Sequence, residues 1–194
     1  LNICLTVFGE VPTGQALLRA GARAGDRLWV SGRLGDARLA LEGFRGTLAL
    51  PGEDFEAVRA AMETPTPRVA LGLALRGLAS SAIDLSDGLL GDLGQVLKAS
   101  GVGASVERDR IPRSMILARQ SAAWQQTCVL AGGDDYELLF TAAAEHDAAV
   151  RAAGLSAGVD VTPIGRIEAA PGLRVLGAQG GAVAVHSRGF DHFA

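Results

Sequence analysis

The sequence has few aromatic residues, little cysteine or histidine, no marked excess of either charge and no long apolar run, and each shortage removes a class of protein. Aromatics are 5% of the 194 residues, too few for a platform on which nucleic-acid bases stack. Lys and Arg number 18 against 21 Asp and Glu, a net charge of -3, so neither a basic nucleic-acid surface nor a disordered polyelectrolyte fits. Cys4 and Cys128 make no disulfide framework and no paired metal motif, which points to a reducing, cytoplasmic setting. His146, His186 and His192 do not pair at i, i+4, so no zinc site is indicated. The longest uncharged stretch, 120–133, is broken by glutamine and glycine and is shorter than the roughly 18 residues a membrane-crossing helix needs.

Apolar residues are abundant at 48%, enough to bury a core, and the 26 glycines are about twice the usual share, which implies many tight turns or close backbone approaches. Leu1, Ile3, Leu5 and Val7 alternate with Asn2, Cys4, Thr6 and Phe8, the period of a strand with one buried face, and a chain opening in mid-strand reads as the tail of a preceding domain. Pro12-Thr13-Gly14 then turns into a short helix over 15–20. A domain boundary is expected after residue 24, dividing 1–24 from 25–194.

Within 25–194, strands are expected at 28–30, 82–83, 104–107, 138–141, 162–168, 173–176 and 182–186, with a further apolar segment at 69–79 and Val129-Leu130 ahead of a Gly-Gly turn. Helices are expected at 39–44, 53–62, 88–99, 114–124 and 142–153. Their mixing without strict alternation predicts an α+β fold, a mixed sheet covered by helices.

Two acidic stretches carry chemistry. In Asp84-Leu85-Ser86-Asp87-Gly88, a strand ends and an amphipathic helix begins, since Leu89, Leu90, Leu93, Val96 and Leu97 share one helix face. Asp84, Ser86 and Asp87 on such a turn either supply a helix N-cap or gather a divalent cation and phosphate near helix N–H groups. Capping accounts for Ser86 or Asp87 and leaves Asp84 without a task. The second stretch, Gly132-Gly133-Asp134-Asp135-Tyr136-Glu137, sets three carboxylates and the only tyrosine before an apolar strand. It reads as a solvated loop or as a site for a metal or a cationic ligand. Near the C-terminus, Phe190 and Phe193 suggest a tail that docks on the core, with Phe190 able to offer a face to a flat heterocycle.

These stretches, together with Gly25-Asp26, Val30-Ser31-Gly32, Gly35-Asp36 and Gly189-Phe190-Asp191-His192-Phe193, resemble the thiamine-monophosphate kinase family of the aminoimidazole ribonucleotide synthetase-like superfamily. The resemblance implies that family's C-terminal α+β domain and ATP-dependent phosphorylation of thiamine monophosphate to thiamine diphosphate with Mg²⁺. It implies metal ligation by Asp84 and Asp87, ATP contacts at Ser86 and Arg19, and substrate contacts at Asp134 and Phe190. Gln15 stands where the family commonly has arginine and Gln95 where it has histidine. It further implies a homodimeric cytoplasmic enzyme, with 1–24 as the last strand and helix of a truncated N-terminal ATP-binding domain and a fragment inactive alone. The alternatives are another ATP-using synthetase of the superfamily and a catalytically silent binding module.

Overall fold

The computed structural model describes residues 2–183. Six strands form one mixed sheet: β1 (Arg27–Ser31), β2 (Ala79–Asp84), β3 (Gly103–Glu107), β4 (Leu138–Ala142), β5 (Val161–Glu168) and β6 (Gly172–Leu176), in the order β2-β4-β1-β5-β3-β6. All neighbours are antiparallel except β3 and β6. The helices are α1 (Asp36–Phe44), α2 (Gly52–Glu63), α3 (Val69–Ala74), α4 (Leu89–Ser100), α5 (Met115–Ala118), α6 (Ala122–Ala131) and α7 (Asp147–Ser156).

Strand alternation sends side chains to two cores. Leu28, Val30 and Leu139 face a large core built with α1, α4 and α6, while Trp29 and Phe140 face a smaller one closed by α3 and α7. The Trp29 and Phe140 rings stack with centroids 6.2 Å apart, and the Arg151 guanidinium lies over the indole. A register shift at Leu28/Trp29 in the β1–β5 pairing accompanies the placing of both Ile164 and Ile167 in the large core.

Several expected elements change. Residues 2–10 hold no strand and their side chains are exposed, and 15–20 hold no helix. An alternating pattern becomes a strand only when a neighbour completes its ladder, and no described strand pairs with it. The following segment does lie on the β2 edge, where the Ala82 N–H donates to the Leu18 carbonyl at 2.8 Å. The helix expected over 114–124 is two helices, because Ser114 caps α5 and Ser121 starts α6 afresh by accepting the Trp124 N–H. Val129 and Leu130 belong to α6. The helix expected from residue 142 begins at Asp147, since Ala142 still pairs with Arg27 and Ala79 in the sheet. The apolar segment 69–79 divides into α3 and the first residue of β2. Of the strand expected at 182–186, Ala182 bridges to Leu176, and residues from 184 onward lie outside the described ones.

Candidate active site

Three connections converge at one end of the sheet. Antiparallel pairing of β2 with β4, in which Asp84 lies opposite Leu138, brings the turn after β2 beside the acidic loop before β4. β1, also antiparallel to β4, delivers the 31–35 segment to the same end. The two acidic stretches then run alongside one another: Leu85 N–H donates to the Glu137 carbonyl at 2.8 Å, Tyr136 N–H to Leu85 at 2.8 Å, and Asp134 N–H to Ser86 at 3.0 Å.

Glycine permits this approach. A Cβ on Gly133 would stand 2.5 Å from the Ser86 carbonyl oxygen. Gly88 has φ +113°, and a Cβ there would meet the Ala131 backbone at 3.0 Å.

The turn after β2 is held from within α4. Asp92, 3% exposed, accepts the N–H groups of Ser86, Asp87 and Gly88 on one oxygen, each at 3.1 Å. Burial raises the Asp92 carboxyl above its ordinary pKa, the Asp87 and Gly88 N–H groups lower it, and the Asp87 and Asp84 charges raise it. The N-cap of α4 is Gly88, with no side-chain cap bond, so neither Ser86 nor Asp87 is a helix cap. The N–H groups of the turn itself are not open to an anion, because Asp92 takes them. Ser86 and Asp87 are half-buried and Asp84 is exposed.

The acidic loop is divided by its backbone. Asp134 and Tyr136 both have positive φ, 66° and 48°, unusual for residues with a side chain and the kind of strain found at functional sites. They line a cavity of about 620 Å³ with Ser86, Asp87, Arg38 and Arg45. Asp135 and Glu137 line a second cavity of about 370 Å³ with Asp36 and Arg68. Asp135 accepts the Gly35 N–H on both oxygens, at 3.0 and 2.9 Å, at the N-terminus of α1. Burial holds its carboxyl well above the usual range, against the pull of that N–H. Glu137 pairs with both Nε and Nη2 of Arg68, at 2.7 and 2.5 Å, and accepts the Ser31 hydroxyl at 2.5 Å. Two of the three carboxylates read as one cluster are therefore structural, and Asp134 is the one that faces the first cavity.

Tyr136 ties the halves of the site together. Burial raises its phenol, followed by the Asp134 charge, their 3.4 Å hydrogen bond, and the charges of Asp84 and Asp87. The hydroxyl stays protonated at neutral pH and donates to Asp134.

Of the expected site residues, Asp84, Ser86, Asp87 and Asp134 come together. Arg19 does not: its carbonyl accepts from Ser100 at the far end of α4, and 12 helical residues span about 18 Å. Phe190 lies outside the described residues. Among the described residues no group of three or more His, Cys, Asp or Glu side chains is gathered closely enough to hold a metal ion. Arg38, Arg45 and Asp92 were not anticipated. The i, i+4 and i+3 spacing of Arg38, Glu42 and Arg45 was visible in the sequence, but a helical charge run alone does not show which cavity it borders.

The antiparallel-rich mixed sheet with helices on both faces, and its crevice where β1, β2 and β4 connections meet, define an α+β domain of the AIR synthase-like class. The chain belongs to the AIR synthase related family: the family's C-terminal domain, "AIR synthase related protein, C-terminal domain", matches residues 23–177. It is 40% identical over its whole length to thiamine-monophosphate kinase of Salmonella typhimurium, of which it covers 60%. Among solved structures, thiamine-monophosphate kinase from Stenotrophomonas maltophilia is 43% identical with a TM-score of 0.81, covering 89% of this chain and 56% of that one. AaThiL complexed with AMPPCP and TMP is 30% identical with a TM-score of 0.74, covering 91% of this chain and 54% of that one. The chain thus spans about 60% of the length of the curated relatives it matches.

Proposed function

We propose that this chain is the C-terminal part of a thiamine-monophosphate kinase, which transfers the γ-phosphoryl group of ATP to the phosphate of thiamine monophosphate. A phosphate oxygen of the acceptor forms the new P–O bond, the bond between the β-phosphate's bridging oxygen and the γ-phosphorus breaks, and its electron pair leaves with ADP. The observation that carries this reading is the meeting of Ser86 and Asp87, on the turn that follows Asp84, with the Asp134-Tyr136 pair at one cavity, joined by the Asp134-to-Ser86 hydrogen bond. The similar structure of AaThiL holds AMPPCP and TMP, which supports this reading.

Asp84 and Asp87 are the residues that would hold Mg²⁺, which in phosphoryl transfer neutralises phosphate charge. Two carboxylates fit an ion that commonly takes one or two of them together with substrate phosphates. Asp92 fixes the turn that carries them. The Ser86 hydroxyl serves the nucleotide, and Asp134, oriented by Tyr136, faces the permanent positive charge of the thiazolium ring. Phe190 as a substrate neighbour, Arg19 as an ATP contact reached in the full-length protein, the division at residue 24, the homodimer and the cytoplasmic setting complete the proposal. Free Cys4 and Cys128 support a reducing compartment, and among the described residues no helix is long and apolar enough to cross a membrane.

The test is incubation of the full-length protein with ATP, Mg²⁺ and thiamine monophosphate, followed by chromatography. Stoichiometric thiamine diphosphate and ADP are expected. Phosphate release without thiamine diphosphate would overturn the kinase reading in favour of a synthetase, and no nucleotide turnover would favour a binding module.

A further inference from the structure

The cavity in front of Asp87 and Asp134 has two walls of opposite charge. One is the acidic wall just described. The other is α1 with its C-cap: Arg38, Leu41 and the C-cap residue Arg45, at i, i+3 and i+7, lie on one face and line the same space. Arg38 crosses close to the acidic loop, so that a Cβ on Gly132 would stand 2.8 Å from the Arg38 Cβ.

A buried counter-ion organises the two guanidinium groups. Glu42 is 5% exposed and accepts the Arg38 Nε at 2.7 Å, and Arg45 Nη1 lies 3.7 Å from the same oxygen. Thr47 also hydrogen-bonds the Glu42 carboxylate. The hydrogen bond from Thr47 lowers the Glu42 pKa, burial opposes it, and the Arg38 and Arg45 charges lower it further, so Glu42 is ionised. Two guanidinium charges against one carboxylate leave this wall net positive. Arg38 spends only its Nε on Glu42, and among the described residues no hydrogen bond takes its Nη groups. The Arg45 side chain is 57% exposed.

A cavity with a cationic wall facing an anionic one is complementary to a zwitterion rather than to a simple cation or anion. Its volume of about 620 Å³ suits a molecule of coenzyme size. We infer that Arg38 and Arg45, oriented by Glu42, form the phosphate arm of the acceptor site and select the phosphorylated form of a cationic heterocycle over its unphosphorylated form. The inference rests on the acceptor proposed above. Thiamine monophosphate carries a thiazolium cation and a phosphate anion on one short arm, so Asp134 meets the first and the two arginines meet the second. Guanidinium groups suit this role because they stay charged and present paired donors to phosphate oxygens. A phosphate of the nucleotide offers the same chemistry, and the experiment separates the two sources.

The experiment is calorimetric titration of the full-length protein and its Arg38→Gln and Arg45→Gln variants with thiamine monophosphate, thiamine and AMPPCP. Each substitution is expected to weaken thiamine monophosphate roughly 10- to 100-fold, as loss of a charge-assisted hydrogen bond does, while thiamine and AMPPCP change less than about twofold. Arg38→Lys, which keeps the charge, should recover part of the loss. Arg45→Gln keeps the test open if Arg38→Gln, which strips Glu42 of its close partner, fails to fold. Equal weakening for thiamine and thiamine monophosphate, no weakening at all, or a loss confined to AMPPCP would each overturn the inference. If the unaltered protein forms thiamine diphosphate while the variants bind like it, only this inference falls; if the unaltered protein does not bind thiamine monophosphate, the proposed function falls with it.

Discussion

Replacing Asp92 tests how the site turn is held. One carboxylate oxygen accepts three backbone N–H groups at 3.1 Å, from Ser86, Asp87 and Gly88. Gly88 is buried while Ser86 and Asp87 are half-buried, so in Asp92→Ala water can reach two of the donors and leaves the third unpaired. Taking about 1 kcal/mol net for each bond gives a gross loss of about 3 kcal/mol, with a further penalty of about 1 kcal/mol for the orphaned Gly88 N–H. Against this stands the relief of a buried charge, for burial is the largest influence on this carboxyl and raises its pKa. The expected net loss for Asp92→Ala is about 2–3 kcal/mol. Asp92→Asn keeps an acceptor oxygen and sheds the charge, so it should cost only about 1 kcal/mol. Urea unfolding of the two variants beside the parent measures both values, provided the transitions are two-state. An alanine variant within about 0.5 kcal/mol of the parent, or an asparagine variant less stable than alanine, would refute the three-bond account. On the proposed function, the alanine variant of the full-length protein should also need more Mg²⁺ for half-maximal activity, because the turn proposed to hold the ion is loosened.

On the proposed function, Asp134→Asn in the full-length protein should raise the KM for thiamine monophosphate by about tenfold and leave that for ATP unchanged, since it removes the charge proposed to face the thiazolium cation; steady-state kinetics with each substrate varied decides this, and a rise confined to ATP contradicts the assignment. Asp135 binds its proton more tightly in the folded chain than in the unfolded one. Its contribution is therefore fully present at acid pH and is lost as pH rises from the unfolded value of about 4 through the raised native value. Asp135→Asn should flatten that fall in urea midpoints measured from pH 4 upward, and an unchanged slope would show that Asp135 is not its source. Cys128 is fully buried, with its thiol pushed up to about 12 by burial, whereas Cys4 is exposed. Iodoacetamide should modify Cys4 in the native protein and reach Cys128 only on unfolding, as mass spectrometry of timed samples would report.

Much of the layout follows from local pattern. The 3.6-residue period after Asp87 marks α4, short apolar runs at 28–30 and 138–141 mark β1 and β4, and the acidic turn and loop stand out by composition. The N-terminal alternation also has the pattern of a strand without becoming one, because a strand depends on hydrogen bonds from a neighbour that the segment itself does not contain. The sequence alone determined which residue types are available at each end of the sheet. Tertiary structure decided their tasks: Asp135 reaches Gly35 across 100 positions, Glu137 meets Arg68 across 69, and Asp134 is left facing the cavity. The reason is physical. Three carboxylates within four positions are equivalent by composition, and they become different only when pairing of β1, β2 and β4 turns alternate side chains toward a helix terminus and a guanidinium on one side and toward open space on the other.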